Sequence, residues 1–173
     1  MGKESKNPIY VYGSSRGYYL LKHNGLFDKS AIYSDIKARL KSYKYDINDK
    51  NHTEKVSPAG KESKIVIEAS RKVTEYIKFN IEITYIIFRE INVLLDDKKI
   101  SKGEFEFRIM ANMEKNYKDS ARKNQKTFKS SRIAEVQRHI YEKTILKEKL
   151  NESEDLIFDE ATEIIDIIKK HLY

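Results

Sequence analysis

Arg132 and His139 are the residues whose types and spacing suggest bond-making chemistry. Seven positions along a helix amount to about 700°, so two such side chains nearly eclipse, two turns apart. Ile133, Val136 and Ile140 supply the apolar side of the same segment and put the pair at its border. From there both could look into a cleft between helices, and a homodimer would double the pair. A His with a pKa near neutrality can move the proton of a ribose 2′-hydroxyl or of a leaving group. A guanidinium beside it can neutralise charge developing on the phosphoryl oxygens. The chemistry on offer is metal-independent cleavage of RNA.

The eight residues RIAEVQRH, from Arg132 to His139, resemble the R-x(4–6)-H signature of the HEPN ribonucleases, helical bundles that often act as dimers. The resemblance implies Arg132 and His139 as the catalytic residues of an endoribonuclease. It departs from the family pattern at Ile133, where a polar residue usually follows the Arg. Other chemistry finds little support. His23, His52, His139 and His171 are scattered, without an H-E-x-x-H motif or a carboxylate triad. GSSRG, residues 13–17, spells G-x-S-x-G around Ser15, but it reads as a hairpin loop and not as the strand-to-helix elbow that the motif requires. Asp96 and Asp97, in LLDDKKISKG, read as a helix end and turn rather than a metal loop. The chain has no Cys, which removes thiol nucleophiles, disulfides and Cys-ligated zinc or iron–sulfur sites. No cofactor and no metal are expected.

The stretch that leads into Arg132 carries the larger signal. KNYKDSARKNQKTFKSSR, residues 115–132, holds seven cations and one acid. On a helix, Lys115, Lys118, Arg122, Lys126 and Lys129 recur every three or four residues and form one stripe. Such a row, with Lys123 and Arg132, can track a phosphate backbone and release its condensed counterions. Near the N-terminus, seven of the twelve Tyr fall in the first 45 residues, interleaved with Arg and Lys. Tyr18 and Tyr19 could stack on unpaired bases while Arg16 holds a phosphate. Arg16 sits in GSSRG, residues 13–17, which lacks the Lys-Ser/Thr of a P-loop.

The primary reading is thus a non-catalytic nucleic-acid-binding protein that contacts the phosphate backbone through residues 115–132. The ribonuclease is the alternative. A third reading, an assembly or adaptor protein of a phage or mobile element, rests on helices that pack against a protein partner.

Composition frames these readings. The net charge of +7 is uneven: residues 101–150 carry +6, whereas residues 151–173 carry −5. A basic body with an acidic terminal segment can attract a polyanion at one face. MGKESKNPIY has no apolar h-region, and no run of about 18 apolar residues occurs. The expectation is a cytoplasmic protein with no membrane partner.

Six Gly and two Pro are too few to punctuate a many-stranded sandwich or barrel. The expected fold is mainly α, a bundle of three to four helices with a small N-terminal α+β element. That element, residues 1–60, would hold a β-hairpin at about residues 9–21, with GSSRG as its loop, and end in a polar linker over 46–63. DKSAIYSDIKARLKSY predicts a helix of about ten residues, with Ser30 or Ser34 as N-cap. The bundle, residues 61–173, would begin with one long helix over 64–95. A rival pattern runs inside it, because Ile77, Phe79, Ile81, Ile83, Tyr85 and Ile87 alternate as a strand would. Ser101 and Glu104 suggest a capping box, with Ile100 and Phe105 as its hydrophobic staple. Phe105, Ile109, Met113 and Tyr117 continue that helix at four-residue spacing. A further helix would run from Ile133 to near Leu150. The last would bury Ile157, Ala161, Ile164, Ile165, Ile168 and Leu172.

Overall fold

Ile77, Phe79, Ile81, Ile83, Tyr85 and Ile87 are each at most 1% exposed, and the residues between them are only partly buried. That is the signature of a strand with one face on a core, and it decides the architecture. The computed structural model describes residues 9–12, 17–58, 60–95, 98–115, 117 and 146–173. Along the chain run β1 (Ile9–Tyr12), β2 (Tyr19–Phe27), α1 (Lys29–Ser42), β3 (Asp46–Ser57), β4 (Gly60–Lys72), β5 (Ile77–Leu95), β6 (Lys98–Lys115) and α2 (Leu146–Lys170).

The expected mainly α bundle is therefore wrong. Among the described residues, six strands form one antiparallel sheet and there are two helices. The segment read as one long helix is β4 and β5, rich in Ile, Val and Thr, which suit a pleated surface. The apparent capping box lies inside β6. Ser101 is buried there, and Phe105, Phe107, Ile109, Ala111 and Met113 all point into the core. Four-residue spacing fits both periods, since four is twice two; Phe107 and Ala111 break the tie in favour of the strand. Within residues 46–63, read as a polar linker, Asp46–Ser57 is β3 and β4 starts at Gly60.

The strand order is β1–β6–β5–β4–β3, with β2 also on β6. Both β1 and β2 run antiparallel to β6, Tyr12 opposite Ala111 and Tyr19 opposite Ile109. They lie one behind the other along the same edge, so the hairpin expected at residues 9–21 does not form. The C-terminal residues cover part of this edge: the Tyr173 amide donates to the Leu26 carbonyl at 2.9 Å, and that of Asp28 to His171 at 3.2 Å. At the far edge, β3 is interrupted by a bulge between Asp49 and Asn51 and carries Lys50 and Lys55, devices that discourage edge pairing.

Both helices pack on one face of the sheet. Ile32, Ile36 and Leu40 of α1 recur every fourth residue, and Ile157, Ala161, Ile164, Ile165 and Ile168 of α2 form its buried stripe. The N-cap of α1 is Asp28, whose carboxylate accepts from the Ala31 amide at 2.9 Å; Ser30 and Ser34 do not cap it. The break expected near Leu150 is absent, because α2 runs unbroken through it. Lys169 and Lys170 stand in its last turn, where cations suit the helix dipole. Among the described residues, no helix is long and apolar enough to cross a membrane.

Candidate functional site

The alternation of β5 breaks at Arg89–Glu90, and the break aims a carboxylate into the protein. Phe88 lies opposite Glu104 and Ile91 opposite Lys102, so Arg89 and Glu90 together face Gly103. The extra residue is a β-bulge, and it turns Glu90 inward where simple alternation would have placed Arg89. Arg89 holds a left-handed φ of 54°, a conformation that favours Gly. The neighbouring strands make room. A Cβ on Gly103 would stand 2.7 Å from the Phe88 carbonyl oxygen, and one on Gly60 2.9 Å from Arg89 Cα.

Glu90 is 8% exposed and meets groups from three other elements. The Lys29 ammonium, at the start of α1, donates to Glu90 Oε2 at 3.1 Å and to Ser63 Oγ of β4 at 3.2 Å. Ser101 Oγ of β6 donates to Glu90 Oε1 at 2.8 Å, and Ser63 Oγ to Oε2 at 3.4 Å. A Lys beside a Ser can activate a nucleophile only when its amine carries a free lone pair. Here the amine is the counter-ion of the buried Glu90 carboxylate, 3.1 Å away, and the Ser63 hydroxyl itself points to that carboxylate. The cluster therefore ties the first turn of α1 to β4, β5 and β6, and does not present an activated Ser63.

A second buried network ties α2 to the sheet. Arg71 of β4 donates to Glu160 Oε1 at 2.5 Å and to the Tyr43 carbonyl at 2.8 Å, and the Tyr45 hydroxyl donates to Glu160 Oε2 at 2.7 Å. Burial, reinforced by the Glu160 carboxylate, pushes the Tyr45 phenol far up. Tyr43 donates to Glu163, and burial followed by that bond raises its phenol to about 12. Lys37 reaches Asp49 at 2.5 Å and the Tyr33 hydroxyl at 2.7 Å. Its hydrogen bond holds the Asp49 carboxyl below the usual range. The cations lie over the tyrosines: Lys37 on Tyr33 at 4.6 Å, Arg71 on Tyr45 at 4.9 Å and Arg39 on Tyr43 at 5.8 Å. Much of the Tyr–cation interleaving in the N-terminal sequence is thus internal clamping.

Of the residues expected to bind nucleic acid, Lys115 is the last residue of β6, opposite Ile77. Tyr19 packs against the core, whereas Tyr18 has the Arg108 guanidinium 5.4 Å from its ring. The two tyrosines are not one stacking platform. Arg16, Lys118, Arg122, Lys123, Lys126, Lys129, Arg132 and His139 lie outside the described residues. The sheet face turned away from the helices interleaves both signs of charge, with ion pairs Lys22–Glu106 and Lys50–Glu68 at 3.1 and 2.5 Å. Arg108 also pairs with Glu106, and Arg89 with Glu104.

Sequence reasoning missed the Lys29–Ser63–Glu90–Ser101 cluster. Its one local trace is FREI, where two charged residues interrupt strict alternation. Among the described residues, no group of three or more His, Cys, Asp or Glu could hold a metal ion. A shallow cleft of about 400 Å³ between the helices is lined by Asp35, Arg39, Ser42, Lys170 and His171. Its His is engaged by Asp35 at 2.9 Å. No family model matches the sequence, and no curated protein or solved structure matches it.

Proposed function

We propose that the chain is a non-catalytic nucleic-acid-binding protein that grips the phosphate backbone through residues 115–132. The observation that carries this reading is the concentration of net positive charge in one segment of the sequence. In the sheet and helices the cations Lys22, Lys29, Lys37, Arg39, Lys50, Lys61, Arg71, Arg89 and Arg108 each face a carboxylate. Residues 118–145, between β6 and α2, contain eight Lys or Arg against three Asp or Glu, five of the chain's net +7. The surplus belongs to Lys118, Arg122, Lys123, Lys126, Lys129 and Arg132, with Lys115 at their root. Arg16 and Tyr18 are a second contact. The lack of Cys accords with a reducing compartment, and we assign the protein to the cytoplasm.

The test is a gel-shift panel of single-stranded DNA, double-stranded DNA and RNA at several salt concentrations, with the length of each probe checked afterwards. Intact probes and affinity that falls about a thousandfold between about 50 and 200 mM salt are expected if some six phosphates are neutralised. No binding to any probe at low salt refutes the reading. Shortened RNA would replace it with cleavage.

A further inference from the structure

We draw no further inference here: the strongest candidate, the outward face of α2 where Glu148, Glu152, Asp155 and Asp159 form an acidic stripe, is a cluster of carboxylates with no second observation among the described residues to say what covers it.

Discussion

Replacing Lys29 by Met tests whether the bulge of β5 exists to aim Glu90 at this ammonium. The substitution keeps an unbranched side chain one atom shorter and removes the charge. Glu90, with 7% of its side chain exposed, would keep the Ser101 and Ser63 hydroxyls as donors but lose the one cation that forms an ion pair with it among the described residues. Stripping one partner from a buried ion pair costs about 3–5 kcal/mol. The Lys29 side chain is 21% exposed, so water can reach the vacated place, and two hydroxyl bonds remain. A loss near the lower limit, about 3 kcal/mol, is therefore expected. In the double variant Lys29→Met/Glu90→Leu no charge is stranded, and only two hydroxyls lose an acceptor, at about 1 kcal/mol each. The double variant should thus be more stable than Lys29→Met alone. Urea unfolding of Lys29→Met, Glu90→Leu and the double variant, followed by circular dichroism at constant m-value, measures all three differences. A Lys29→Met loss under about 0.5 kcal/mol, or single losses that simply add, would refute the coupling.

Other perturbations probe the same architecture. Arg89→Gly relieves a left-handed φ at the loss of one exposed ion pair, so its melting temperature should stay level or rise; a fall of several degrees contradicts the bulge. Gly103→Ala should cost about 1–3 kcal/mol, because its Cβ would press on the Phe88 carbonyl, and an unchanged unfolding midpoint would remove that steric argument. The buried Tyr85 hydroxyl has no hydrogen-bond partner among the described residues, so Tyr85→Phe should be neutral or stabilising by up to about 1 kcal/mol. A clear loss in calorimetry would show that the hydroxyl is satisfied. The carboxyls of Asp49 and Glu106 are both depressed in the fold. Lys37 lowers Asp49 directly, while at Glu106 burial opposes the bonds from Arg108 and Lys22 but is outweighed. Their contribution to stability is present above the unfolded carboxyl pKa of about 4 and disappears as pH falls through the lower folded values. Lys37→Gln should flatten the acid limb of stability against pH; an unaltered limb would contradict the Asp49 linkage.

Of the helices, α2 was legible in the sequence because its apolar residues mix spacings of three and four, which a strand cannot match, whereas the four-residue spacing of α1 fits either period. Ile32, Ile36 and Leu40, and Ile157, Ala161, Ile164, Ile165 and Ile168, are buried in that order. The sheet was hidden by two coincidences. Phe105, Ile109 and Met113 fit a helix as well as a strand, and long hairpins let 13- to 19-residue strands form with few glycines. An edge strand such as β3 needs little apolar surface, so its composition mimics a linker. Tyr12 and Tyr19 both look for β6 rather than for each other, a long-range preference that local pattern cannot express. The charge surplus of residues 115–132 could be read directly. The Glu90 cluster could not, since Lys29 and Glu90 are 61 positions apart.

The claim that residues 115–132 bind a polyanion is tested most directly by one comparison. Lys118, Arg122, Lys126 and Lys129 are changed together to Gln, and binding of single-stranded DNA, double-stranded DNA and RNA is titrated against salt beside the unaltered protein. If these residues neutralise phosphates, the slope of log K against log salt shrinks by about three to four, since each lost contact removes about 0.7–0.9, and the unfolding midpoint is unchanged. An identical slope in both proteins would place binding elsewhere, and the assignment to this run would fail.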